Sequence, residues 1–205
     1  MNTNNLSTVA RILNSRWAKS SMPPLIYMTD ELRTPNPLPS IKNLIAGSAV
    51  IFRHYNYKFR LNLALDIKHL CQKQNLLFFV AGDYSLAQSL RADGIHLPEY
   101  MLSKPLLQTM KWKNKQKKLI TASAHCKKSI IKCHKLRVDA ALVSPVFPTE
   151  SHLNKTALGI SKFQTLAKTS SIPIYALGGI NNKNAIQLIN SPAIGIAGIS
   201  ALSKI

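Results

Sequence analysis

Two short apolar segments near the C-terminus run into glycine: "PIYALGGIN" at 173–181 and "AIGIAGIS" at 193–200. Glycine costs backbone entropy in a strand, so it belongs where something must come close to the main chain. Gly178 and Gly179 in the first segment, and Gly198, Ile199 and Ser200 in the second, offer bare amide N–H groups. Such amides hold an anion, a phosphate above all, without a formal positive charge. Tight turns would account for the same glycines, but their pairing in two successive segments favours the anion.

Other segment ends carry side chains suited to the same work. Asp30, the run Arg53-His54-Tyr55, Asp83, Glu99, and Ser123 with His125 each follow or end an apolar run. The stretch "SPVFPTESHLNKTALGI" at 144–160 brings Thr149, Ser151, His152 and Lys155. These groups donate hydrogen bonds or positive charge to an anionic ligand. The stretch is long for a strand-to-helix link, so it reads either as a lid over a site or as a solvated loop. His54, His125 and His152 titrate near neutrality and suit general acid–base work, although a structural or solvated role is the commoner fate of a histidine.

The elements that must position these residues show one rhythm. Strand-like runs occur at 24–29, 48–55, 76–81, 94–97, 118–123, 140–147, 173–178 and 193–199. Most are continuously apolar, as expected of parallel strands covered on both faces. Helical spacing fills the intervals: Leu63, Ile67 and Leu70 in 58–74, Ile160, Phe163 and Ala167 in 160–169, and Ala185, Leu188 and Ile189 in 181–190. Eight strands alternating with helices in 205 residues predict an α/β fold, a compact (β/α)8 TIM barrel. An open doubly wound sheet is the alternative, but no glycine-rich dinucleotide turn follows the first strand. The whole chain, 1–205, reads as a single domain with 1–20 as an N-terminal extension, where Val9, Ile12 and Leu13 form a helical stripe. The eighth helix is expected to be short or missing, its place covered by 5–20 or by a neighbouring subunit. In a barrel the residues named above fall at the C-terminal ends of the strands, where such folds do chemistry.

Composition narrows the setting. Hydrophobic residues make up 46% of the chain, enough for a large core, and the apolar runs are too short to span a membrane. Three cysteines, an odd and sparse number, suit a reducing, cytoplasmic location. His125-Cys126 and Cys133-His134 do not match a structural zinc spacing. The first twenty residues lack the long apolar stretch of a secretory signal, while their Arg and Ser content leaves a transit peptide open. The net charge of +19 attracts phosphorylated ligands, nucleic acid and anionic surfaces. The dense run "KWKNKQKK" at 111–118 comes without a nucleic-acid module, so nucleic acid is not the expected partner.

The segments "SPVFPTESH…ALGI", "IPIYALGGINNKNA" and "AIGIAGISAL", with "ADGIHLPE" and "TASAHC" before them, resemble the thiamine-phosphate synthase and thiazole tautomerase family. The likeness is good from about residue 92 onward. It implies a TIM barrel that joins hydroxymethylpyrimidine diphosphate to a thiazole phosphate, releasing pyrophosphate, as a homodimer. By this resemblance Thr149, Glu150 and Ser151, Gly178 or Gly179, and Ile199 with Ser200 hold the thiazole phosphate, while Ser123 contacts the pyrimidine. Arg53 meets the diphosphate, and His152 or Lys155 neutralises it as it leaves. A Mg²⁺ ion is implied, with Asp83 and Glu99 as the carboxylates at hand.

The diphosphate half departs from the family pattern. Its Gln-x-Arg-x-Lys reads Ile51 to Tyr55 here, keeping only Arg53. Its Asn-Asp reads Ala81-Gly82 with Asp83 one position late, and its Gln-x-Asp reads Glu99-Tyr100-Met101. The lysine after Thr-x-Thr is His152, with Lys155 three residues beyond. Ionising a carbon–oxygen bond needs the leaving charge met by aligned cations, so these departures bear directly on turnover. A phosphate-binding paralogue without catalysis and a thiazole tautomerase are the alternatives.

Overall fold

The structure, a computed structural model, describes residues 5–17, 21–103, 109, 111, 112, 118–149 and 156–202. Eight parallel strands among these residues close into a barrel in sequence order. They are β1 (Leu25–Met28), β2 (Ala49–Phe52), β3 (Leu77–Ala81), β4 (Gly94–Leu97), β5 (Leu119–Ala124), β6 (Ala140–Val143), β7 (Ile174–Leu177) and β8 (Gly195–Gly198). The ring is closed by β1 against β8, where Ile26 lies beside Ala197. Seven strands fall inside their predicted runs and β5 extends one residue past its own, to Ala124, because a continuously apolar run has two faces to bury.

Alternate residues separate to those two faces. Ile26, Met28, Ala49, Ile51, Phe79, Ala81, Leu142, Tyr175 and Ala197 pack together inside the barrel. Tyr27, Val50, Phe52, Phe78, Val80, Val143 and Ile196 pack outward in the larger cluster that includes the helices. Full burial of such a side chain contributes roughly 1.5–3 kcal/mol. The interior is filled by matching large residues with missing ones. A Cβ on Gly94 would stand 2.2 Å from the Phe79 ring, and one on Gly195 2.8 Å from the Tyr175 ring. At the entrance ends of the strands, Asp93 accepts from the Phe78 N–H at 2.9 Å and Asp139 from the Ile120 N–H at 2.8 Å. These two carboxylates tie neighbouring strands together on the face of the barrel away from chemistry.

The helices that the described residues trace from end to end are α1 (Leu6–Ser15), α2 (Leu38–Lys42), α3 (Arg60–Lys73), α4 (Tyr84–Ser89), α5 (Lys127–Lys135) and α6 (Gly159–Lys168), with 3-10 turns at Glu99–Ser103 and Ala185–Leu188. No helix among the described residues is long and apolar enough to cross a membrane. Helix α1 starts at Asn5, whose side chain accepts from the Ser7 N–H at 2.9 Å. It buries Leu6, Val9, Ala10 and Leu13 and lies against β8. Asn14 anchors it by donating to the Met22 and Ile194 carbonyls, each at 3.1 Å. After β8 the described chain makes only a turn through Leu202, so α1 occupies the flank an eighth helix would cover.

One predicted helix does not form. The spacing in 181–190 yields a single 3-10 turn, Ala185–Leu188. Asn181 and Asn184 explain the difference, because their side chains bond the local backbone in place of helical partners. Asn181 Oδ1 accepts from the Lys183 N–H at 2.9 Å, and Asn184 Oδ1 accepts from the Asn181 N–H at 2.8 Å. Ala185 and Leu188 are nevertheless buried, which is what the apolar spacing had registered.

Candidate active site

The C-terminal ends of the strands surround an open cavity of about 640 Å³. Its lining includes Arg53, Ser123, Thr149, Gly178, Gly179, Ile199, Ser200 and Glu99. Eight residues proposed from the sequence are thus gathered at one mouth. Glu150, Ser151, His152 and Lys155 lie outside the described residues, as does most of the 111–118 run. Asp83 is not among the lining residues.

The glycine end is built from backbone. Gly178 and Gly179 have φ of +93° and +69°, a region that side chains other than glycine enter at a cost. A Cβ on Gly179 would stand 2.4 Å from the Pro148 carbonyl oxygen, and one on Gly178 3.0 Å from Pro145. The chain after β6 is zipped to this end of β7 by Val146 N–H to the Leu177 carbonyl at 3.0 Å and Phe147 N–H to the Gly178 carbonyl at 3.1 Å. The glycines thus admit a neighbouring backbone, as a tight turn requires, and they leave amides facing the cavity. The N–H groups of Gly178, Gly179, Ile180 and Ile199 have no hydrogen-bond acceptor among the described residues, and all four residues line the cavity. No α-helix starts behind Gly179 among the described residues, so the amides act without a helix dipole. Asn184 steadies the turn by donating to the Gly179 carbonyl at 2.8 Å.

The opposite wall depends on side chains. Ser123, at the end of β5, has its Oγ 2.9 Å from Nε2 of His96 on β4. Nδ1 of the same ring is 2.9 Å from the Thr121 hydroxyl. A neutral imidazole meets both, donating through one nitrogen and accepting at the other. Burial, and after it the charge of Arg53, pushes the His96 pKa down to about 3, so the ring stays neutral. His96 lines the cavity, and the sequence reading passed over it. Its signal was a polar ring alone in the apolar strand "GIHL", at an inward register beside Thr121.

His54 shows the reverse. It was a candidate acid or base, yet it is fully buried and is not among the cavity-lining residues. Its Nε2 donates to the Pro35 carbonyl at 3.3 Å, so Nδ1 accepts from the Thr29 hydroxyl at 2.9 Å. The Thr29 oxygen in turn accepts from the Arg53 N–H at 2.9 Å. Burial lowers the pKa of the ring. This chain ends β2 at Phe52 and sets the backbone from which Arg53 enters the cavity. The Arg53 guanidinium lies 3.9 Å from Asp30. His125 donates through Nδ1 to the Ser144 carbonyl at 2.7 Å and turns Nε2 toward Glu99 at 3.8 Å. Ser129, on α5, fixes it from behind by accepting its N–H at 3.0 Å.

The two carboxylates proposed for Mg²⁺ have different surroundings. Asp83 caps α4, accepting from the Leu86 N–H at 2.9 Å, and pairs with Arg60 at 2.7 Å. Glu99 lines the cavity and faces His125. No group of three His, Cys, Asp or Glu side chains among the described residues is arranged to hold a metal. Magnesium usually takes one or two carboxylates beside substrate phosphate oxygens and water; of the two candidates Glu99 lines the cavity, while Asp83 is paired with Arg60.

Residues 27–202 match the family model described as thiamine monophosphate synthase. A thiamine-phosphate synthase of Prochlorococcus marinus subsp. pastoris is 35% identical over 171 residues, covering 82% of this chain and 48% of the relative. The chain thus spans about half the length of that relative. A thiamine-phosphate synthase of Persephonella marina is 28% identical over 186 residues, 88% of each chain. Among solved structures, thiamine phosphate pyrophosphorylase from Pyrococcus furiosus superposes with a TM-score of 0.73 at 22% identity, over 92% of this chain and 90% of that one. The barrel, its strand-end cavity and the match over 27–202 together establish that this chain belongs to the thiamine monophosphate synthase family.

Proposed function

We infer that this chain joins hydroxymethylpyrimidine diphosphate to a thiazole phosphate, giving thiamine phosphate and pyrophosphate. The observation that carries the reading is the set of amides at Gly178, Gly179, Ile180 and Ile199 that find no acceptor among the described residues, in one cavity with Ser123 and Arg53. Those amides hold the thiazole phosphate, with Thr149 and Ser200 at its edge. Ser123, kept in place by His96, orients the pyrimidine.

The carbon–oxygen bond to the diphosphate breaks and its electron pair leaves on the diphosphate. The thiazole nitrogen lone pair then forms the new carbon–nitrogen bond, so no outside oxidant or reductant is needed. The Arg53 guanidinium meets the charge that develops on the leaving oxygen, where a preorganised cation is most effective. Holding both substrates in one cavity supplies the proximity that this displacement needs. A cytoplasmic location and a homodimer belong to the same reading.

The test is a thiamine phosphate assay with both substrates, beside complementation of a strain lacking its synthase. Thiamine phosphate formed in equal amount with pyrophosphate is the expected outcome. Saturable binding of thiazole phosphate with no product, Mg²⁺ present, would leave a binding protein and overturn the catalytic reading.

A further inference from the structure

Tyr55 lines the cavity beside Arg53, in the loop between β2 and α3, at the position where the family pattern has a lysine. Its ring has a built seat. The Arg60 guanidinium lies 5.9 Å from the Tyr55 ring and 5.5 Å from the Phe52 ring. Arg60 is itself held, donating to the His54 carbonyl at 2.9 Å and pairing with Asp83 at 2.7 Å. The ring also lies against Gly82, where a Cβ would stand 3.4 Å from its Cε1. The phenol oxygen meets the Arg53 side chain in a hydrogen bond. A guanidinium only donates, so the phenol oxygen accepts and its own O–H is left to donate elsewhere. That O–H has no acceptor among the described residues. Desolvation at the cavity wall raises the phenol above its ordinary 10.0, against the pull of Arg53 and Arg60, so the proton stays in place at neutral pH.

We propose that the Tyr55 hydroxyl donates a hydrogen bond to the diphosphate as it leaves, acting beside Arg53 as a second, uncharged donor. The proposal rests on the synthase reading above. As the carbon–oxygen bond breaks, its electron pair goes to the diphosphate oxygen, and the Tyr55 O–H meets part of the charge that grows there. The proton stays on the phenol oxygen, so the displacement gains no acid–base step. The bond that Arg53 donates to the phenol oxygen polarises the O–H and strengthens it as a donor. A donor fixed in direction before the reaction is most effective where charge develops. A lysine would bring a full charge on a flexible four-carbon stem, whereas the phenol brings a rigid ring already seated on Arg60. The end of β2 thus keeps a donor where it has lost a cation.

Inorganic pyrophosphate, titrated calorimetrically into the whole chain with Mg²⁺ present, reads the donor without turnover. Tyr55→Phe keeps the ring and its seat on Arg60, so the variant should melt as the parent does. Its pyrophosphate affinity is expected to fall about ten-fold, as for loss of a hydrogen bond to a charged group. Tyr55→Lys, which also donates, should recover most of that loss. In the thiamine phosphate assay Tyr55→Phe should lower kcat about ten-fold or more and leave KM for thiazole phosphate within about two-fold. A Tyr55→Phe protein that binds pyrophosphate and turns over as the parent does overturns the proposal, and so does a parent that binds no pyrophosphate. A loss seen with Tyr55→Ala and absent from Tyr55→Phe also overturns it, because the ring and not the hydroxyl is then at work. If Tyr55→Phe weakens pyrophosphate binding while the parent itself forms no thiamine phosphate, the donor stands and the synthase reading falls.

Discussion

The two ends of the cavity are made of different material. At the β7 and β8 ends, binding groups belong to the backbone, and any sequence that keeps Gly178 and Gly179 keeps them. At the β1 to β4 ends they are side chains, each of which has more than one use. Asp83 caps a helix, Asp30 ties two loops together, and Glu99 pairs with a histidine. A backbone site persists or is lost as a unit, whereas a side-chain site can be rebuilt residue by residue. The resemblance to the synthases is accordingly strong at the first end and thin at the second.

Breaking the backbone end should have the largest effect. Gly179→Ala places a side chain at φ +69° with its Cβ 2.4 Å from the Pro148 carbonyl oxygen. Left-handed strain together with overpacking costs roughly 2–5 kcal/mol. The melting temperature should fall by about 5–15 °C for a chain of this size, and thiazole phosphate affinity should fall with it. Gly178→Ala meets Pro145 at 3.0 Å and should be milder. A Gly179→Ala protein with parental stability and affinity would show that the amides are not held as described.

The sharper test on the side-chain end concerns His96. Its folded pKa of about 3 lies below the ordinary 6.5, so the unfolded chain takes up a proton that the folded chain refuses. Stability from this group is complete above pH 6.5 and is lost as pH falls from there to about 3, at about 1.4 kcal/mol per pH unit at most. Denaturant unfolding of the parent and of His96→Gln isolates it, since every other group is common to the two proteins. The variant should show the shallower decline. It should also lower kcat more than it changes KM, because the group released is Ser123 and not a phosphate donor. Equal acid sensitivity in the two proteins would contradict the neutral, doubly bonded ring.

These contrasts also explain what could be read from the chain before any coordinates. The barrel was legible because continuous apolar runs such as "LLFFVA" have no other stable use than a doubly covered parallel strand. The gathering of Gly178, Gly179, Ser123 and Arg53 around one cavity was legible because each sits at a strand end, the end of a barrel where such folds keep their sites. His96 was not, because a histidine inside an apolar run announces nothing until Thr121 and Ser123 of the next strand are known to face it. The missing helix after β7 was a matter of competition, since apolar spacing records burial and says nothing of Asn side chains capturing the backbone.

Asp83→Ala carries the smallest expected effect and the cleanest division between the two ends. The substitution removes the α4 cap, whose oxygen accepts from Leu86 at 2.9 Å, at a cost of about 1 kcal/mol. Arg60 keeps a partner, because its Nε also donates to the His54 carbonyl at 2.9 Å. The variant should therefore melt a few degrees lower and bind thiazole phosphate as the parent does. Activity lost out of proportion to stability would instead mean that Asp83 turns from its cap toward the substrate during the reaction. In that event the carboxylate is shared between fold and chemistry, and the two ends of the cavity are less separate than their construction indicates.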